Sequence, residues 1–176
     1  QMGGLYRATS AREVADVFAG AWSAGIRYFD TAPFYGYTLS EHRLGMMLAE
    51  QPRDSFVLSS KVGRLMRPDS SVQPGADDWA CPYPFRPQYD YSYAGVMRSF
   101  EDSLQRLGLA RVDLLYVHDI GRSTHGERHD HYWTQLTTGG GFRALEELRS
   151  TGRVSGVGLG VNEWEVVRDS LQEIDL

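Results

Sequence analysis

Four short apolar segments alternate along this chain with segments whose apolar residues recur at helical spacing. Residues 26–29, 56–61, 112–118 and 154–162 read as strands. Between and around them, Val14, Val17, Phe18, Ala21 and Trp22 share one helical face, as do Leu44, Met47 and Leu48. Met97, Phe100, Leu104 and Leu107 form a third such stripe, Phe142, Leu145 and Leu148 a fourth, and Val166, Val167 and Leu171 begin another helix. Apolar strands separated by amphipathic helices predict βα units around a parallel sheet. A doubly wound sheet and a (β/α)8 barrel both satisfy that alternation. No G-x-G-x-x-G follows any strand, which favours the barrel.

The punctuation agrees with these elements. Ser10 and Glu13 have capping-box spacing, and Gly25 sits where the first helix should end. Ser40 is expected to cap the second helix, with Pro52 beyond its end, while Gly108 and Gly152 stop later ones. A complete barrel takes about 250 residues. With 176 residues and four strands, the chain reads as roughly the first five βα units of a single barrel domain, cut at both ends. Unpaired strand edges lead to the expectation that this piece in isolation is inactive.

Composition excludes several partners. Lys+Arg number 18 against 23 Asp+Glu, a net charge of -5 that gives no electrostatic reason to bind nucleic acid. No apolar run approaches the roughly 20 residues needed to span a bilayer. One cysteine, Cys81, permits no internal disulfide and suits a reducing compartment, so a cytoplasmic location is expected.

The strand ends carry the chemistry. Asp30, Lys61, His118 and Asn162 close the four strands, and Tyr35 follows Asp30 in a loop containing Pro33 and Gly36. Strand C-termini of a parallel barrel open on one face, where active sites lie. A free tyrosine, with a pKa of about 10, exchanges protons poorly at neutral pH. A neighbouring ammonium favours the phenolate, and a carboxylate holds that ammonium in place. An imidazole beside them can bond a substrate oxygen. Together these groups make a phenolic acid/base aimed at a carbonyl or alcohol. Such chemistry calls for a hydride partner, which a nicotinamide oriented by Asn162 would supply.

Two other regions invite attention. Residues 62–92 form a long connection with five prolines and with Trp79, Tyr83, Phe85, Tyr89 and Tyr91, read either as a substrate-side wall or as a self-packed loop. His125, His129 and His131 cluster after the third strand but lack the spacing of a metal site, so no metal is expected. The run TTGGGF reads as a flexible lead-in to a helix rather than a phosphate cradle.

The segments GIRYFDTAPFYG, SEHRLG, VLSSKVGR, SLQRLGLARVDLLYVHD and GLGVNEWE resemble, in order and spacing, the aldo-keto reductases. Within them, the stretch from Thr124 to Val166 is most similar to the branch of D-threo-aldose and L-fucose dehydrogenases, with pyridoxal dehydrogenase a near relative. The resemblance implies a (β/α)8 barrel that binds NAD or NADP without a separate dinucleotide domain. It implies a tetrad of Asp30, Tyr35, Lys61 and His118: Tyr35 transfers the proton, Lys61 tunes it, Asp30 partners Lys61, and His118 orients the substrate. Asp30 and Asn162 are implied as cofactor contacts, although Val161 stands where the family commonly has serine before that asparagine. The implied substrate is a small sugar or aldehyde, oxidised at C1 to a lactone. Reduction of aldehydes with NADPH, or a non-catalytic cofactor-binding subunit, are the alternatives.

Overall fold

The Glu13 amide donates to Ser10 Oγ at 3.1 Å, and the Ser10 amide to Glu13 Oε2 at 2.7 Å. This reciprocal box starts α1 (Ala11–Ser23). Val14 and Phe18 of α1 reach the core, whereas Val17 is left 60% exposed at the margin of the expected stripe. Gly25, at φ 87°, turns the chain out of the helix and towards β1 (Tyr28–Asp30). The structure is a computed structural model and describes residues 2–176.

Next come α2 (Leu39–Leu48), β2 (Val57–Val62), β3 (Arg64–Pro68), β4 (Phe85–Tyr89), α3 (Tyr93–Leu107) and β5 (Leu114–His118). The chain continues through α4 (Arg122–His125), α5 (His129–Leu136), α6 (Gly141–Ser150), β6 (Gly156–Gly160) and α7 (Trp164–Ser170). β1, β2, β5 and β6 form one parallel sheet in that order. Helices lie between successive strands, as the alternation requires. Leu58, Leu115 and Val117 are fully buried, along with Phe100 of α3 and Leu145 of α6. Each such side chain contributes about 1.5–3 kcal/mol of hydrophobic burial.

Three sequence expectations need correction. Ser40 does not cap α2, which starts from Thr38 at φ 82°. Ser40 instead pairs its hydroxyl with that of Thr31 at 2.9 Å, tying the helix to the loop after β1. Val17 faces outward rather than joining the inward stripe of α1. The connection after β2 is not one irregular loop: β3 and β4 pair antiparallel from Arg64↔Tyr89 to Pro68↔Phe85. Only the segment between those strands is irregular, and it folds back over the sheet's C-terminal rim through a bridge between Leu5 and Trp79.

A buried ion pair joins three elements behind the rim. Glu41 of α2 is wholly buried, accepting from Arg106 Nε of α3 at 2.5 Å and from Ser60 Oγ of β2 at 2.6 Å. Both carboxylate oxygens are thereby satisfied, which an ionised group at that depth requires.

Candidate active site

Side chains alternate across a strand, so the parallel register decides which residues share the inner face. Asp30 pairs with Ser59, Lys61 with Tyr116, and His118 with Gly160. These residues line the same face and converge at the C-terminal rim. Glycines on β6 make room for these side chains: a Cβ on Gly160 would lie 3.1 Å from Lys61 Cε, and one on Gly158 would lie 2.8 Å from the Tyr116 ring.

Lys61 is 6% exposed and donates to Asp30 Oδ2 at 2.7 Å and to the Thr31 carbonyl at 3.0 Å. Ser59 Oγ donates to the other Asp30 oxygen at 2.6 Å. The Asp30 side chain is 41% exposed, so it faces both the lysine and the cleft. Tyr35 arrives on a tight turn whose Tyr35 amide bonds Ala32 O at 3.2 Å. Gly36 permits that turn: its φ is 65°, and a Cβ there would meet Gly3 O at 2.5 Å. Lys61 Nζ then lies 4.9 Å from the centroid of the Tyr35 ring.

His118 stands edge-on to Tyr35, with ring centroids 5.8 Å apart, and to Phe34 at 6.2 Å. Its Nε2 is 3.4 Å from Asp119 Oδ2, and its buried Nδ1 has no hydrogen-bond partner among the described residues. Burial, then the charges of Arg64 and Lys61, hold this histidine well below its ordinary value, so the ring is neutral at pH 7.

Asp30, Tyr35, Lys61, His118 and Asn162 all line one cleft of about 460 Å³. Asn162 lies two residues beyond β6 rather than within it, with its amide exposed at the mouth. Phe34, Asp77, Trp79 and Asp119 also line the cleft and had not been singled out together from the sequence. Of the aromatics after β2, only Trp79 reaches it. Tyr83 packs on His42, and Tyr91 is buried beneath the rim, where its hydroxyl donates to His118 O at 2.7 Å. His125 and His129 are buried and His131 is exposed, each with a hydrogen-bond partner: Tyr91, Ile120 O and Gln135 respectively.

The donor set suits a nicotinamide: Asn162, on the lining of the cleft, offers both an amide donor and an acceptor to a carboxamide.

A parallel βα sheet with acid, lysine, phenol and imidazole gathered at its C-terminal rim is the arrangement of part of a (β/α)8 barrel. The chain belongs to the aldo/keto reductase family, which matches residues 1–175. It is 52% identical over 99% of its length to pyridoxal 4-dehydrogenase of Microbacterium luteolum, covering 54% of that protein. It is 42% identical, again over 99%, to D-threo-aldose 1-dehydrogenase of a Pseudomonas species, covering 52% of it. The chain therefore spans about half the length of these curated relatives. Among solved structures, the holo form of an aldo-keto reductase from Bacillus halodurans superposes with a TM-score of 0.71 at 23% identity, over 99% of this chain and 49% of that one. That likeness concerns the fold, a (β/α)8 barrel to which this sheet corresponds in part.

Proposed function

We propose that the protein is an NAD(P)-dependent dehydrogenase that oxidises the hemiacetal carbon of an aldose or a hydroxyaldehyde to a lactone. The observation that carries this reading is the convergence of Asp30, Lys61, Tyr35 and His118 on one cleft with Asn162 at its mouth. The relatives named for pyridoxal and D-threo-aldose support the substrate class. Both names denote aldehydes bearing a hydroxyl group that can close on the carbonyl as a cyclic hemiacetal.

When bound, the nicotinamide supplies the hydride acceptor, and Asp30 and Asn162 are the residues that would hold it. The chain's own part is the proton. As the C–H bond gives up its hydride, Tyr35 Oη takes the proton from the substrate hydroxyl, and the C–O bond becomes the lactone carbonyl. Lys61, fixed by Asp30 and the Thr31 carbonyl, places a positive charge beside the phenol and favours negative charge on its oxygen. Asp30 itself is fixed by Ser59. Neutral His118 shares a hydrogen bond with the substrate oxygen and sets its angle to Tyr35.

The test follows nicotinamide reduction by the full-length protein with aldoses and pyridoxal. Tyr35→Phe is expected to lower kcat by about 10²–10⁴-fold with little change in cofactor affinity. Unimpaired turnover by that variant would overturn the mechanism.

A further inference from the structure

Arg64 begins β3, two residues past the end of the Lys61-bearing stretch, and it is 4% exposed. Its Nη2 donates to Asp119 Oδ2 at 2.6 Å, while its Cζ sits 4.2 Å from the centroid of Phe34 and 5.4 Å from that of Tyr89. The Asp119 oxygen it holds is the one facing His118 Nε2. Asp119 has φ 43°, a left-handed conformation that costs a non-glycine residue about 1–2 kcal/mol. Backbone hydrogen bonding to Gly160 O at 3.0 Å and the Arg64 ion pair hold it there. Arg64 Nε is buried without a partner among the described residues. A buried guanidinium with an orphan N–H is a poor stability device. Its position calls for another explanation.

We propose that Arg64 is a positioning residue of the active site, clamping Asp119 so that the imidazole of His118 is fixed at the cleft wall. The proposal rests on the dehydrogenase reading for its catalytic consequence, but not for its physical content. The groups around His118 are Lys61 from β2, Arg64 from β3, Asp119 at the exit of β5, and Tyr35 from the loop after β1, with Asp30 and Asp77 elsewhere on the cleft wall. Lys61 is ion-paired with Asp30. Arg64 is the other cation, buried and outside the lining of the cleft. Asp119 alone would draw a proton onto His118; paired with Arg64, it does not. A neutral ring can accept or donate a hydrogen bond at a substrate oxygen, whereas an imidazolium can only donate.

The experiment is a histidine NMR titration of Arg64→Met, Arg64→Lys and Asp119→Asn, alongside the pH profile of kcat/KM in the full-length protein. In Arg64→Met, the His118 resonance is expected to move up towards the ordinary histidine value, with burial and Lys61 still holding it below. The acid limb of kcat/KM should move up in pH with it. Arg64→Lys keeps the charge and should keep His118 neutral. Asp119→Asn removes the acceptor while leaving the cation, so His118 should stay neutral to the acid limit of the folded state. Unchanged His118 titration in folded Arg64→Met, or an upward move in Asp119→Asn, overturns the proposal. Should Arg64→Met fail to fold, the direction in Asp119→Asn decides it. Absence of turnover with any aldose or aldehyde would instead count against the dehydrogenase reading and leave the titration result standing.

Discussion

Lys61 is the chain's only lysine among 18 basic residues, and it is buried against a carboxylate and a backbone carbonyl. Arginine meets every other need for a cation here. Its planar fork suits surface ion pairs, whereas a compact ammonium fits between Asp30, Thr31 O and the Tyr35 ring. Lys61→Arg should therefore behave as a loss of function: kcat is expected to fall at least 10²-fold, and Lys61→Met should do the same. Steady-state kinetics with folding checked by circular dichroism tests both. A second consequence concerns acid. His118 is held well below the usual histidine value by burial, Arg64 and Lys61. His125 is pushed down to about 4, first by burial and then by Arg64. Both rings stay neutral in the folded chain while the unfolded chain takes up protons below about 6.5. Stability should therefore be full above that pH and fall as pH drops towards 4, by up to about 1.4 kcal/mol per pH unit for each ring. Urea midpoints at pH 7 and pH 5 measure it, and His125→Gln should flatten the slope. At this scale, Asp30, Lys61 and His118 were legible because each lies at or next to the end of an apolar strand. Arg64 and Asp119 were not: each reads as a solvated charge beside a turn, and only the hairpin fold brings them together.

Among the elements, the α2–α3 contact shows how a weak local signal becomes a strong constraint. Gly45 lies in the middle of α2, where glycine costs about 1 kcal/mol of helix propensity relative to alanine. The helices approach so closely that a Cβ there would sit 2.1 Å from Leu107 O of α3. Backbone cannot move aside as a flexible side chain can. Gly45→Ala should thus gain the propensity and lose more to overpacking, which typically costs about 1–3 kcal/mol. A lower urea midpoint is the expected outcome; a higher one would mean that α2 shifts freely. The same contact places Glu41 against Arg106, so Gly45→Ala and Glu41→Gln should prove non-additive. The helices were readable because their periodicity and caps are local, as with Ser10, Gly25 and Gly108. The β3–β4 hairpin was not. Its strands, RLMRP and FRPQY, carry arginine and proline and lack clean alternation. They are held by Leu65 and Met66 packing inward, and by the Asp90 amide bonding Gly63 O at 3.0 Å, contacts that exist only in the folded molecule.

For the molecule as a whole, the decisive feature is the sheet's two outer strands. β1 pairs only with β2, and β6 only with β5, among the described residues. Tyr28 and Ile26 by the β1 edge are each 49% exposed, and Val57 is 42% exposed. Natural sheets protect their edges with charge, proline, bulges or a covering element, and Tyr-Phe-Asp in β1 has only its terminal carboxylate, which Lys61 and Ser59 already occupy. Closure into a barrel removes such edges, which is the arrangement of the family to which the chain belongs. The 176 residues alone should therefore self-associate. Sedimentation velocity across a concentration series is expected to show species heavier than the 19.8 kDa monomer. Tyr28→Lys should shift that distribution towards the monomer by placing charge at the edge. A concentration-independent monomer would mean that β1 and β6 are satisfied from within the chain. The same edges bear on catalysis. Asp30 ends β1 and Gly160 ends β6, so two of the strands that border the cleft lack an outer neighbour. Pairing them should both suppress association and fix the distance between the proton-transfer residues and Asn162.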